Sequence, residues 1–215
     1  MSEKYKFSDS SRLYFITYTV INWMDVFIRP QYNHILLSSW AHCQKEKGLE
    51  IYAWCIMSSH VHMIVSSNKN PLADIVRDRK AYTSKKIREA INDNPEESRK
   101  EWMLWMMERA AKRYARESTF QFWQPGNHAV ELNTNEMIDQ RLNYIHDNPV
   151  KAGMVDKPQD YVYSSARDYC GEKGLVDVIL IWIKKWCSGR CQVCRTDGRP
   201  REYGPPSQLA ICINK

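Results

Sequence analysis

Glycine and proline are scarce in this 215-residue chain, at 8 and 9 residues. That scarcity excludes collagen-like and low-complexity proteins, which are dominated by these residues. Long apolar runs are also missing, because the longest one near the C-terminus, residues 178–183, is far below the roughly 20 residues that a membrane-spanning helix needs. The first residues contain no apolar segment of signal-peptide length. We therefore expect a cytoplasmic protein that does not associate with membranes.

The seven cysteines do not indicate a disulfide framework, because their number is odd and no secretory signal is visible. Four of them lie near the C-terminus, where Cys191 and Cys194 form a CxxC pair between Cys187 and Cys212. Four thiolates could hold one Zn²⁺, but a single CxxC pair is a weak signal, and a poorly ordered extension with reduced thiols is the favoured interpretation. We therefore predict one domain over residues 1–180 and a basic, cysteine-rich extension over residues 181–215.

Positive charge is concentrated in two segments, although the whole chain carries only +6. Residues 77–116 contain 12 basic and 7 acidic residues, and residues 182–215 contain 7 basic and 2 acidic residues. Clustered Lys and Arg on an otherwise acidic body favour a polyanionic partner such as nucleic acid. The alternative is that both segments are solvated helical faces.

Hydrophobic periodicity predicts an alternation of strands and helices. Two strands joined by Ser58-Ser59 form a hairpin, so the sheet contains an antiparallel pair. This pattern predicts an α+β sandwich. The predicted strands are residues 13–20, 50–57 and 60–66, and residues 120–124 are a short strand or extended piece. The predicted helices run from Pro30 to Gly48, over 71–91, over 97–116, and from an N-cap at Asn133 to a stop at Pro149.

One face of the predicted helix 71–91 carries Arg77, Lys80 and Arg88, which we predict to be DNA-binding residues. Aromatic residues are interleaved with the basic ones across residues 77–116. Most of these aromatics we expect to be core residues and not stacking platforms.

His60 and His62 are separated by one residue at the start of an apolar strand. Side chains alternate along a strand, so both imidazoles lie on one face and Val61 lies on the other. Two imidazoles on a rigid strand can bind one metal ion. The alternative is a pair of polar residues on a solvated face, and an HxH motif alone does not decide between the two.

Tyr144 and Asn148 are four residues apart on the last predicted helix, so they share one face. A tyrosine hydroxyl is a possible nucleophile, but its ordinary pKa near 10 means that it needs a metal or a base to assist it. The oxygen of Asn148 could be a third metal ligand. The alternative is that Asn148 only ends the helix before Pro149.

The two motifs together resemble the single-tyrosine HUH transposases of the IS200-like family. The segment from Tyr144 to Val155, followed by Tyr161, Tyr163 and Ser164–Ala166, resembles the REP-associated tyrosine transposase branch, as does the segment 123–128. The resemblance implies a ferredoxin-like fold with a central antiparallel sheet. It also implies a single-stranded DNA endonuclease and strand transferase that acts at hairpin-forming repeats.

Carried over residue by residue, the resemblance implies that His60, His62 and Asn148 bind Mg²⁺ or Mn²⁺ and that Tyr144 forms a 5′-phosphotyrosine intermediate with DNA. No general base is evident, and a monomer and a homodimer both stay open. A non-catalytic DNA-binding regulator on the same fold is the alternative function. A zinc-stabilised interaction module built on the C-terminal extension is a third, more distant one.

Overall fold

The computed structural model describes residues 7–114, 118–126 and 128–182, and the backbone of a short strand at 211–212. Three 3₁₀ turns occur between the helices and strands of the described residues. In chain order they are β1 (Tyr14–Thr19), α1 (Pro30–Lys47), β2 (Leu49–Ile56), β3 (His60–Ser67), α2 (Leu72–Asp93), α3 (Lys100–Tyr114), β4 (Val130–Glu131), α4 (Asn135–Lys151), α5 (Ala166–Tyr169), β5 (Ile181–Trp182) and β6 (Ile211–Cys212).

A four-stranded sheet with the order β2-β3-β1-β4 forms the centre of the molecule. All three pairings in it are antiparallel. The helix α1 connects β1 to β2 across the intervening strand β3, and α2 and α3 lie in the connection from β3 to β4. This is the βαββαβ order of a ferredoxin-like fold, so the predicted α+β class and central antiparallel sheet are confirmed.

The two faces of the sheet are covered by different helices because side chains alternate along each strand. Ile16 and Val61 point to the face covered by α1, α2 and α3. Phe15 and Ile64 point to the other face, where they pack against α4 and Tyr169. His60 and His62 have the parity of Ile64, so they lie on the α4 side of the sheet.

Several element boundaries agree with the sequence patterns, and Gly48 ends α1 as predicted. It adopts a left-handed φ of 72° and donates its N–H to the carbonyl of Cys43. A Cβ at this position would lie 2.5 Å from Asn68 Oδ1, so only glycine fits without a shift. The helix end is therefore set both by backbone conformation and by the close approach of the chain after β3.

The predicted ends of α4 are wrong at both termini. Its N-cap is Thr134, whose hydroxyl accepts a hydrogen bond from the N–H of Met137, and not the neighbouring Asn133. The helix also continues through Pro149 to Lys151. Proline removes one N–H near the C-terminus, where the loss is small, and the N–H of Ala152 still bonds to the carbonyl of Asn148 at 2.9 Å. Asn148 is thus a helical residue, and it does not end the helix.

The segment 120–124 is an extended piece and not a regular strand, and Trp123 in it makes an isolated bridge to Val20. One further expectation fails. All four aromatics of segment 77–116 are exposed, whereas most of them were expected in the core: these are Tyr82, Trp102, Trp105 and Tyr114. On α3, Met103 and Met107 are the residues buried in the core, and both tryptophans of that helix point outward.

The predicted extension falls mostly outside the described residues. Cys187, Cys191 and Cys194 are not described, and of Cys212 only the backbone is, where β6 pairs in parallel with β5. The zinc hypothesis therefore stays a prediction. Within the described part of the chain, no helix is long and apolar enough to cross a membrane.

Candidate active site

The two histidines of β3 lie next to each other, with ring centroids 4.8 Å apart. A hydroxyl contacts the Nδ1 atom of each ring. Thr17 Oγ1, opposite His62 on β1, lies 2.9 Å from Nδ1 of His62. Ser59 Oγ lies 3.2 Å from Nδ1 of His60. These contacts orient both rings and leave the two Nε2 atoms for a further ligand.

His62 is buried, with only 4% of its surface exposed, so the hypothesis of a solvated strand face is wrong for this residue. Its ring stacks on Phe15 at a centroid distance of 5.5 Å. Burial, with smaller effects from His60 and from the charge of Arg141, lowers the pKa of His62 to about 3. Burial also lowers the pKa of His60. Both imidazoles are consequently neutral at pH 7, the form that binds a metal ion.

The side chain of Tyr144 on α4 contacts the ring of His62. Its hydroxyl is 3.5 Å from Nε2 of His62, and the two ring centroids are 5.0 Å apart. Phe15 holds the tyrosine ring edge-on at 6.0 Å. The side chain remains 38% exposed, so the hydroxyl sits beside His62 and is open to solvent at the same time. Tyr144 and His62, which are 82 positions apart in the chain, therefore lie next to each other in the structure.

Asn148 follows Tyr144 by one helical turn and lies half-buried on the same side of α4. Within the described residues, no group of three or more His, Cys, Asp or Glu side chains is placed to hold a metal ion. A third ligand beside His60 and His62 would therefore be an amide oxygen or water. The donor set of two neutral imidazoles and one amide suits a divalent cation with open positions.

His146 follows Tyr144 by two residues on α4 and therefore lies on the opposite side of the helix. It is 1% exposed, and its Nε2 atom is 2.9 Å from Ser165 Oγ. Burial lowers its pKa to about 3. His146 is therefore a core residue that anchors α4 to the segment after it.

The buried His146 predicts a loss of stability in acid. A histidine whose pKa falls on folding binds fewer protons in the folded state, so its full contribution to stability is present above pH 6.5 and decreases as the pH falls toward the folded value. His146→Gln keeps a hydrogen-bonding group but does not titrate. Between pH 7.5 and 5.0, we expect the free energy of unfolding to fall by about 2 kcal/mol more in the wild type than in the variant. Urea denaturation at both pH values measures this, and equal losses would contradict it.

The three predicted DNA-binding residues lie on α2, in the helix layer on the other face of the sheet from the histidines. Arg77 is exposed and pairs with Asp74 at 2.6 Å. Lys80 donates from Nζ to the carbonyl of Gly126 at 2.8 Å, and burial lowers its pKa to about 8. Arg88 lies 3.6 Å from Glu108. Of the three, Arg77 presents the most accessible cation.

Comparison with known proteins gives a family match that begins at β1 and ends inside α3. Residues 13–108 match the family model described as Transposase IS200 like. The resemblance to the IS200-like transposases is thereby confirmed. The matched segment contains both histidines, whereas Tyr144 and Asn148 lie beyond it.

A solved structure supports the fold of this chain. It is a REP-associated tyrosine transposase bound to a REP hairpin, with 18% sequence identity and a TM-score of 0.56 over 83% of this chain and 92% of that one. A proposed transposase from Deinococcus radiodurans R1 matches at 14% identity and a TM-score of 0.40, over 68% of this chain and 95% of that one. No curated protein matches the chain significantly.

Sequence reasoning missed residues that contact the two histidines. Phe15 and Thr17 contact His62 from β1, and Trp23, in the turn after β1, contacts His60 with ring centroids 5.4 Å apart. The alternation of β1 places Phe15 and Thr17 on one face. Only the register of β1 on β3 shows that this face is the one with the histidines.

Proposed function

We propose that this protein is a transposase: a metal-dependent single-stranded DNA endonuclease and strand transferase with Tyr144 as its nucleophile. The observation that carries the proposal is the 3.5 Å approach of the Tyr144 hydroxyl to Nε2 of His62, in a partly open site. A role in packing alone does not explain why the neutral, oriented imidazole of His62 lies beside this hydroxyl.

His60, His62 and Asn148 are the proposed ligands of Mg²⁺ or Mn²⁺. When bound, such an ion polarises the scissile phosphate and offsets the negative charge of the transition state. The protein contributes the rest of the arrangement. Thr17 and Ser59 fix the orientation of the imidazoles, and the fold keeps both rings neutral so that they can act as ligands.

The proposed chemical step conserves the energy of the phosphodiester. The Tyr144 oxygen attacks phosphorus and loses its proton, while the bond from phosphorus to the 3′-oxygen breaks and that oxygen takes up a proton. The products are a 5′-phosphotyrosyl enzyme and a free 3′-OH. Attack of another 3′-OH on the phosphotyrosine reverses the step and joins strands without ATP.

The proposed substrate is single-stranded DNA carrying a hairpin-forming repeat. The solved neighbour that binds a REP hairpin supports this choice, because its fold matches most of this chain. The concentration of basic residues in segment 77–116 also supports a phosphate-rich partner. We propose residues 1–180 as the transposase unit.

The direct test is to incubate the protein with hairpin-bearing single-stranded DNA from the flanks of its own gene and Mn²⁺. The expected result is a covalent protein–DNA adduct that survives denaturation and maps to Tyr144 by mass spectrometry. Binding without cleavage or adduct would instead favour the non-catalytic regulator on the same fold.

The contribution of α2 to DNA binding stays a prediction, and Arg77 tests it most cleanly. Arg77→Ala should lower affinity at moderate salt and reduce the slope of log affinity against log salt by about one, as expected when one phosphate contact is lost. Lys80→Ala is a poorer test because its ammonium group bonds to two carbonyls of the protein. Lys45→Ala is the control, because the side chain of Lys45 on α1 is exposed to solvent. An unchanged salt slope in Arg77→Ala would identify this part of α2 as a solvated face.

A further inference from the structure

An exposed tryptophan stands beside the two histidines, in the turn that follows β1. Trp23 is 61% exposed, the largest exposure among the big apolar side chains described. Its indole meets the ring of His60 edge-to-face, with centroids 5.4 Å apart. The rings of Trp23, His60, His62 and Tyr144 thus form a row, in which successive centroids are 5.4, 4.8 and 5.0 Å apart.

The turn that presents Trp23 is firmly anchored. Ile21 and Met24, on either side, are buried at 3% and 2% exposure. The N–H of Ile21 donates to the carbonyl of Phe122 at 2.7 Å, and the N–H of Trp23 donates to the carbonyl of Val20 at 3.0 Å. The exposure of the indole is therefore a property of a fixed backbone and not of a loose loop.

The backbone of this turn adopts an unusual conformation. Asn22 and Trp23 both have left-handed φ values, of 53° and 57°. A bulky residue rarely adopts such a φ, and such positions cluster at functional sites. The conformation turns Asn22 and Trp23 outward between two buried neighbours, so the strain and the exposure have the same origin.

We propose that Trp23 is a stacking platform for an unpaired base of the DNA strand, on a nucleotide near the phosphate that Tyr144 attacks. This inference rests on the proposed function and adds a binding residue to it. An indole face exposed to water binds any base by stacking, without reading its hydrogen-bonding edge. Trp23 lies beside His60, so a DNA strand whose phosphate binds at the histidines would pass next to the indole. Stacking of a base on the indole would then hold that phosphate in position for attack by Tyr144.

The test compares two dodecamers that carry the same phosphate charge. One is oligothymidylate and the other is an abasic spacer strand, and affinity is measured by fluorescence anisotropy with the full chain. Trp23→Ala should weaken binding of the thymidylate strand about tenfold or more and leave binding of the abasic strand unchanged. Trp23→Phe should retain most of the lost affinity. A 5-iodouracil in the thymidylate strand should photo-crosslink to Trp23.

Tyr82→Ala is the matched control, since Tyr82 is 53% exposed but lies on α2, away from the histidines. It should bind both strands as the wild type does, and thermal unfolding checks that every variant is folded. Equal loss on the abasic strand, or no loss on either strand, would overturn the stacking role. A change of sedimentation in Trp23→Ala without a change in DNA affinity would overturn it in favour of a contact between copies of the chain.

The proposed function is judged separately by the adduct that the wild type forms with hairpin DNA and Mn²⁺. If that adduct forms but Trp23→Ala binds both strands normally, only the stacking role fails. If the wild type binds no single strand and forms no adduct, the proposed function fails, and the stacking role fails with it.

Discussion

Tyr144→Phe should abolish DNA cleavage and the covalent adduct while leaving hairpin binding unchanged. The substitution deletes one oxygen and keeps the ring, so the edge-on contact with Phe15 persists and stability should barely change. Without the hydroxyl no phosphotyrosyl bond can form, so the cleavage rate should fall by more than about 10³-fold, as when other enzymatic nucleophiles are removed. Denaturing gel electrophoresis with labelled DNA measures cleavage and adduct together.

Tyr163→Phe is the control, because this tyrosine is partly exposed but lies outside the row of rings at the site. It should cleave as the wild type does. An adduct on Tyr161 or Tyr163, or cleavage by Tyr144→Phe at the normal rate, would overturn the mechanism. A metal-activated water would then be the better nucleophile, and the protein would be a hydrolytic nuclease.

In His62→Ala, the cleavage rate at limiting Mn²⁺ should fall by about 100-fold or more, while most of the DNA affinity is retained. The reason is that ligation serves the chemical step, whereas phosphate contacts serve binding. His62 is also buried between Phe15 and Thr17, so its truncation leaves a cavity. His62→Gln fills that space better and separates lost ligation from lost packing: it should also cleave poorly, and it should unfold closer to the wild-type temperature.

His34→Ala provides the comparison for a histidine on the exposed surface of α1. It should cleave normally at every Mn²⁺ concentration. Cleavage by His62→Ala at the wild-type rate with limiting Mn²⁺ would remove His62 from the metal site. Partial recovery at high Mn²⁺ is the expected behaviour of a protein that has lost one ligand but retains others.

The sequence predicted the sheet and the composition of each of the two motifs because these rest on local periodicity. A period of two places His60 and His62 on one face, and a period near 3.6 places Tyr144 and Asn148 on one face. The side on which α4 docks is not local information. It depends on the apolar residues Ile138, Leu142 and Ile145, which pack on the sheet face that carries Phe15 and Ile64.

What the sequence could not predict are the features set by tertiary contacts. Thr17 contacts His62 only through the register of β1 on β3. Trp23 is exposed because its neighbours Ile21 and Met24 are the residues that are buried. The composition of this segment does not show which of its apolar residues will be buried. The prediction for the tryptophans of α3 was wrong for a similar reason, since the methionines of that helix are the residues buried in the core.

The central position of β3 limits how this chain can change over evolution. The strand is paired on both sides, by β1 and by β2, through most of its length. A residue inserted or deleted within it would reverse the face of every side chain beyond that point, unless both partners shifted with it. His60, His62 and Thr17 are therefore expected to keep a fixed spacing in descendants of this sequence, while length variation collects in the connections. The bulge between Ile51 and Ala53 is a place where β2 accommodates one extra residue opposite β3, while the histidines keep their pairing with β1.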